Sequence, residues 1–286
     1  MLNILKAKPL LAPALLVLLV TLNGCSGFVS QRSGQHSISS SLSSFLYPNK
    51  DVKVEIKPEI PVLRLPIKVG LAFLPSQNWR GSGLDESNQY KLLSKVKASF
   101  GEHRFIDSIS IIPSSYLRHH NSKGASGFDT LSQVARLHDV DVIALVSYDQ
   151  LTQSLHNNAS LLYWTVVGMY VIPGNENTVQ TFVDTAVFDV RSRKMLMRAP
   201  GISKLRKTST AIGVDSVMIQ KSQQGFDLAF DDMIKNLNTE LDGFRARAKA
   251  GKGAKIQYQQ GYSSAGGSFG VLFLLGMLFL GLRRQL

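Results

Sequence analysis

Apolar positions recur at two spacings along the chain, and each spacing predicts a different kind of element. Residues 67–75 and 140–148 are almost continuously apolar, while 105–112 is rich in isoleucine and alternates with polar positions. Runs of this length, bounded by proline or turn residues, are typical of strands. A further alternating stretch at 52–56 predicts a half-exposed strand.

Between these strands the apolar residues recur three or four positions apart, which is typical of helices that bury one face. One such helix covers residues 84–100 with Ser87 as its N-cap, and a second begins with Asp129 as its cap. Residues 226–244 carry the longest apolar stripe. This stripe predicts an amphipathic helix that packs across a sheet, and we interpret it as core rather than as a partner-binding face.

The order of the predicted elements is typical of α/β proteins with some parallel strand pairing. After the alternating strands and helices, 179–190 and 194–198 predict two strands joined by a turn. We therefore predict an α/β fold, a single mixed sheet with helices packed on it, over residues 51–248. The order also resembles the small α/β domain of envelope lipoproteins such as the curli secretion lipoprotein, with 135–148 as the most similar stretch.

Residues 1–24 have the organisation of a secretion signal. Lys6 and Lys8 form a short positive region that precedes an apolar run at 10–22. This run is too short for a permanent span, which needs roughly 20 apolar residues. Cys25 follows directly and is the only cysteine in the chain, so no intramolecular disulfide can form.

Leu22-Asn23-Gly24-Cys25, at the end of this run, resembles the lipobox of bacterial lipoproteins. The resemblance implies that the signal peptidase for lipoproteins cuts before Cys25. It also implies that the Cys25 sulfur is acylated, so that membrane lipid holds the mature chain. Ser26 at the next position implies sorting to the outer membrane. The serine-rich segment 25–50 predicts a flexible tether, in which 37–45 can form a short docked helix.

The C-terminal tail, 266–286, combines small residues, an apolar run and two arginines. In chain order these are Gly266, Gly267 and Ser268, then 269–282, then Arg283 and Arg284. Each glycine weakens a helix by about 1 kcal/mol relative to alanine, so the peptide bonds there can unwind into a protease site. The arginines stop transfer and stay on the cytoplasmic side. Both ends of the chain thus place residues 25–265 outside the inner membrane.

This tail resembles the GlyGly-CTERM sorting signal, and the whole architecture resembles the rhombotarget lipoprotein family. The resemblance implies that a rhomboid-type intramembrane protease, rhombosortase, cuts near Gly266, Gly267 and Ser268. It further implies release to the outer membrane or cell surface of a Gram-negative envelope, in many relatives through type II secretion. The alternative is an uncleaved tail anchor.

The chain is strongly basic, which indicates an anionic surface nearby. Its formal net charge is +12 and its isoelectric point is about 9.8. Nucleic acid and membrane phospholipid both fit such a charge, but the secretion signal favours the membrane, and we predict no nucleic acid partner. The basic and polar segment 249–265 predicts a linker. Together with Arg245 and Arg247 its lysines suit either a solvated helix end or anionic headgroups.

No motif for catalysis, phosphate binding or a metal is present, so we predict no catalytic residue, no metal and no cofactor. His119 and His120 are adjacent, which on a strand points them to opposite faces, and no second pair has ligand spacing. Asp139 and Asp141 are better explained as a helix-to-strand turn than as an acid/base pair.

We expect a non-enzymatic structural or partner-binding module, and two alternatives stay open. The apolar and aromatic stretch 161–172 suits a buried hairpin strand, an interfacial edge, or one strand of an oligomeric secretion pore. The third hypothesis is an envelope hydrolase, for which His119, His120, Asp139 and Asp141 are the candidate residues.

Overall fold

A computed structural model describes residues 35–48, 60–76, 84–118, 126–156, 170–210 and 212–259. Several predicted features lie outside these ranges: the signal peptide with Cys25, the strand at 52–56, His119 with His120, and the tail 266–286. The strands, in chain order, are β1 (Gln35–Ser39), β2 (Val62–Leu65), β3 (Ile67–Phe73), β4 (Ile106–Ile112), β5 (Val142–His156), β6 (Asn175–Asp189), β7 (Lys194–Ser209) and β8 (Lys255–Tyr258). The α-helices with defined bounds are α1 (Leu42–Leu46), α2 (Glu86–Phe100), α3 (Gly127–His138) and α4 (Val214–Lys249).

The main sheet is mixed, as predicted for an α/β fold. It has six strands in the order β4-β3-β5-β6-β7, with β1 beside β5. β3 runs parallel to both β4 and β5, whereas β5, β6 and β7 form an antiparallel meander. Helices cover both faces of this sheet.

Each face of the sheet has its own hydrophobic core. On one face α2 and α4 bury their apolar stripes, and the predicted stripe of α4 from Phe226 to Phe244 is buried there as core. On the other face α1 and α3 pack against the opposite side chains of β3, β5 and β6. Alternate strand residues supply the two cores, for example Ala144 to the first and Ile143 to the second.

The strand β1 and the helix α1 lie within the segment predicted as a flexible tether. β5 pairs first with β3, from Val142 to Val146, and then with β1, from Asp149 to Gln153. α1 docks so closely on α3 that a Cβ on Gly127 would lie within 3 Å of the α1 backbone. Serine-rich composition did not predict the strand, because its stability comes from pairing with β5 rather than from its own apolar residues.

Both predicted helix caps were wrong by a few residues. The N-cap of α2 is Asp85, whose Oδ1 accepts from Asn88 N at 2.7 Å, and not Ser87. The N-cap of α3 is Ser126, and Asp129 occupies the third helical position of a capping box. The Ser126 amide and hydroxyl donate to Asp129, and these bonds, with a smaller contribution from Arg193, lower the pKa of the Asp129 carboxyl. The true caps lie two residues before Ser87 and three residues before Asp129.

The strands β5, β6 and β7 and the helix α4 extend further than the apolar pattern predicted. β5, β6 and β7 continue through polar residues that are nevertheless buried, including Gln150, Thr181 and Ser203. Gln150 Nε2 donates to Thr181 Oγ1 at 2.7 Å and to the Ser222 carbonyl at 3.0 Å, while Ser203 Oγ donates to the Gly225 carbonyl at 2.7 Å. Because these groups satisfy one another, polar side chains extend the sheet beneath the first half of α4.

The prediction of a single sheet was wrong, because a second, two-stranded sheet joins the segment before β3 to the segment after α4. β2 and β8 pair in parallel, from Val62 with Lys255 to Leu65 with Tyr258. β8 lies within 249–265, where the polar composition had indicated a linker. Leu63, on the inner side of β2, is buried in the first core.

Candidate functional site

The candidate site is an apolar cavity of about 500 Å³ between the main sheet, α2, α4 and the small sheet. It exists because the helices cover different strands: α4 packs mainly on β6 and β7, and α2 packs on β3 and β4. Small side chains, among them Ala144 on β5 and Ala248 on α4, line the space between the two helices. We name it the α2/α4 cavity.

Most of the cavity wall is apolar. It is formed by the inner side chains of β3, β4 and β5, by Val96 and Phe100 of α2, by Leu237, Leu241 and Phe244 of α4, and by Leu63, Leu65 and Ile256 of the small sheet. A cavity of this size and character falls within the range of ligand-binding pockets, which are usually hydrophobic with a few placed polar groups.

Four charged residues also line the cavity. The loop after α2 contributes Glu102 and Arg104, and the end of α4 contributes Arg245 and Lys249, all of them exposed to solvent. Three cations therefore face one carboxylate among the lining residues. Arg245 also reaches Asp242 one turn earlier, at 3.5 Å, a pair whose side chains are 48% and 79% exposed. A surface pair of this kind contributes about 1 kcal/mol at most, so an anionic ligand can compete for the guanidinium.

An aromatic stack that includes His103 lies beside Arg245 in the cavity wall, and we call this region the polar corner of the cavity. The His103 ring lies 5.8 Å from Phe100 and 5.1 Å from Phe105, and Arg245 Cζ lies 5.3 Å from the Phe105 centroid. His103 Nε2 is buried and has no hydrogen-bond partner within the part of the chain that the structure describes. A buried unpaired nitrogen costs free energy unless a ligand or water satisfies it. The His103 side chain thus lines the cavity, while its Nε2 atom is enclosed by protein.

Asp139 and Asp141 have structural roles, as the turn interpretation predicted. Asp139 ends α3 in a left-handed conformation, with φ of 50°, and its carboxylate lies 2.6 Å from Lys68 Nζ. That hydrogen bond raises the pKa of Lys68. Asp141 Oδ2 accepts from the Lys68 amide at 3.2 Å. Both carboxylates thus join the α3–β5 turn to β3.

The sequence did not predict the α2/α4 cavity, although two of its charged residues were noted. Arg245 and Lys249 belong to the basic stretch whose sequence suits either a solvated helix end or an anionic partner. The structure brings both residues beside an apolar space. His103 gave no signal, because its loop carries no motif. The nearest available signal was the placement of cations directly after the apolar stripe of α4.

The remaining predicted site residues are not among those the structure describes. Cys25, Gly266, Gly267, Ser268, Arg283 and Arg284 fall outside, as do His119 and His120. In the described ranges, no group of three or more His, Cys, Asp or Glu residues is arranged to hold a metal ion. None of the helices in those ranges combines the length and hydrophobicity needed to cross a membrane.

Comparison with known proteins identifies no family. No family model matches the chain, and no curated protein matches it. Among solved structures, a neuraminyllactose-binding hemagglutinin homolog from Helicobacter pylori has 9% identity and a TM-score of 0.34, over 72% of this chain and 98% of that one. A PelC dodecamer from Paraburkholderia phytofirmans has 11% identity and a TM-score of 0.26, over 71% and 96%. A lipoprotein from Neisseria meningitidis has 12% identity and a TM-score of 0.22, over 57% and 99%. Similarities at this level do not establish a shared fold or function.

Proposed function

We propose that this chain is a lipid-anchored protein of a Gram-negative envelope whose α/β domain is a non-enzymatic binding or structural module. The observation that carries the proposal is Cys25, the sole cysteine, placed directly after an apolar run and two lysines. A lipid with two or three chains at this residue would hold the mature chain stably, whereas one chain would not.

The tail supports a second maturation step. Gly266 and Gly267 at the outer edge of an apolar run, with Arg283 and Arg284 at its inner edge, suit cleavage by a rhomboid-type sorting protease. We place the mature protein at the outer membrane or cell surface, with type II secretion as the candidate export route.

The non-enzymatic role is supported by the use of the described acidic residues. Asp139 and Asp141, the candidate acid/base pair, hold β3 and the α3–β5 turn together through Lys68. A hydrolase needs a nucleophile, a base and an oxyanion donor within mutual reach. The α2/α4 cavity instead offers apolar walls and a basic rim, which suit binding.

Acylation is tested by metabolic labelling with radioactive palmitate in a bacterium that makes lipoproteins. We expect label in the wild-type protein and none in Cys25→Ser, while Ser26→Ala, one position further, keeps it. An unlabelled wild-type protein, or a labelled Cys25→Ser variant, would contradict the anchor.

Tail processing is tested separately by intact-mass measurement of the mature protein. We expect a mass that lacks residues 269–286, and we expect Gly266→Leu/Gly267→Leu to retain them. A wild-type protein that keeps the tail in a strain containing rhombosortase would exclude the sorting step and leave the tail as an anchor.

One observation favours the pore alternative. Tyr170 and Val171, the described end of the apolar segment 161–172, are 63% and 68% exposed. An oligomer that buries these side chains predicts ring-sized particles by light scattering in detergent. A monodisperse monomer would exclude it.

A further inference from the structure

We infer that the α2/α4 cavity is a binding site for an anionic amphiphile with a single acyl chain. The chain occupies the apolar space of about 500 Å³, and the carboxylate or phosphate head lies at Arg104, Arg245 and Lys249. This inference does not depend on Cys25 acylation or on tail cleavage.

The walls select an alkyl chain over polar ligands. Sugars and nucleotides need several hydrogen-bond partners, and a site that cannot supply them leaves ligand groups unpaired at a cost. The wall between Val69, Leu71, Leu237 and Leu241 presents only aliphatic carbon to the cavity. Each methylene that enters such a space gains about fourfold in affinity.

The charges select an anionic head. Arg245 stands over the Phe105 ring beside His103, so its guanidinium is positioned at the polar corner of the cavity. Lys249 follows one helical turn later and also lines the cavity. Glu102 is the one carboxylate among the lining residues, which limits the net charge but leaves cations in excess.

The direct test is photo-crosslinking of the full-length protein in neutral phosphatidylcholine nanodiscs. Two single-chain probes carry the same diazirine near the end of the acyl chain: palmitate and lysophosphatidylglycerol. We expect at least one to crosslink to wall residues such as Ala144 and Leu241, identified by mass spectrometry. The probe that reacts distinguishes a free fatty acid from a phospholipid. The uncharged methyl ester of the palmitate probe should crosslink at least tenfold less.

Matched variants on α4 separate the cavity from the rest of the surface. Ala248 lines the cavity and is 6% exposed, while Ala246 on the same helix faces solvent. We expect Ala248→Leu to reduce crosslinking severalfold and Ala246→Leu to leave it unchanged. For the head, Arg245→Gln and Lys249→Gln should each weaken binding about two- to fivefold, whereas Arg247→Gln, an exposed residue that does not line the cavity, removes the same charge without effect.

Three results would overturn the inference. Crosslinks spread over exposed faces, with Ala248→Leu no different from Ala246→Leu, would exclude the cavity. Equal crosslinking by the methyl ester would exclude recognition of the anionic head. Equal effects of Arg245→Gln and Arg247→Gln would exclude placement of the head at the cavity. Circular dichroism of each variant keeps a folding defect from imitating a binding defect. The three glutamine variants, all at exposed positions, carry the test if Ala248→Leu unfolds.

Discussion

The helix α4 lies directly against β7 at Gly201, and adding one methyl group there tests how closely the two elements pack. A Cβ on Gly201 would lie 2.1 Å from the Ala229 carbonyl oxygen and 2.6 Å from both the amide nitrogen and the Cβ of Met233. Ordinary contact with a Cβ begins at 3.4 Å, so Gly201→Ala would force helix and strand apart by about 1.3 Å, the difference between 3.4 and 2.1 Å. Two of the three clashing atoms are backbone, so rotation of a side chain cannot relieve the overlap.

The expected cost follows from what this separation would disturb. Ala229, Phe230 and Met233 are all 0% exposed and lie in the core between α4 and the sheet. Overpacking of a dense core costs about 1–3 kcal/mol, and a backbone clash belongs at the upper end. We therefore expect Gly201→Ala to lower the free energy of unfolding by about 3 kcal/mol, a large part of the ~5–15 kcal/mol of a typical domain. Urea unfolding followed by far-ultraviolet circular dichroism measures this change.

Gly243, further along the same helix, provides a control of opposite sign. The nearest atom to a Cβ there is Nη1 of Arg247, at 3.4 Å on a flexible side chain. Glycine inside a helix is less stable than alanine by roughly 0.5–1 kcal/mol, so Gly243→Ala should raise the urea midpoint. If Gly201→Ala has a wild-type midpoint while Gly243→Ala rises, the close approach of α4 to β7 is wrong.

Three further substitutions test other contacts. Asp129→Asn should flatten the dependence of stability on pH at the acid side. Ser126 and Arg193 lower the folded pKa of the Asp129 carboxyl. The carboxylate therefore stabilises the fold above about pH 4, and this stabilisation is lost as the pH falls through the lower folded pKa. Thermal unfolding from pH 2 to 6 checks this, and an unchanged acid slope would contradict it. Gln150→Leu should lower the free energy of unfolding in urea by about 1–3 kcal/mol, since it leaves Thr181 Oγ1 and the Ser222 carbonyl without their buried partner. An unchanged free energy of unfolding would show that these hydrogen bonds do not stabilise the fold. Lys95→Gln should lower the free energy of unfolding by less than about 1 kcal/mol, because Lys95 joins α2 to Asp227 and Asp231 of α4 through solvent-exposed ion pairs. In 1 M NaCl the difference from the wild type should disappear. The hydrogen bonds to these aspartates outweigh partial burial and raise the pKa of Lys95.

The elements that the sequence predicted well are those whose apolar spacing alone determines burial. β3, β4 and the start of β5 lie within about two residues of the apolar runs, and the stripe of α4 is buried as predicted. The turn between β6 and β7 was also predicted, and there Ser192 N donates to Asp189 Oδ2 at 2.9 Å. In each case local chemistry and burial favour the same structure.

The elements that the sequence did not predict depend on partners distant in the chain. β1 is rich in serine and pairs with β5 more than 100 residues later, and β8 is polar and pairs with β2. The outer halves of β6 and β7 bury polar groups such as Thr181 and Ser203, whose hydrogen-bond partners lie on β5 and α4. The cavity is the extreme case, because it arises from the separation of two helices on a sheet and from where a loop places His103.

The pairing of β1 with β5 also sets how far the folded body can stand from its anchor. If Cys25 carries the lipid, ten residue steps separate it from Gln35, where β1 begins. A fully extended chain covers at most about 3.5 Å per residue, so the connection between Cys25 and β1 is no longer than roughly 35 Å. A free tether running to residue 50 would allow more than twice that distance. With a lipid at Cys25, this connection would hold the domain close to the bilayer, where membrane lipids would be the nearest ligands.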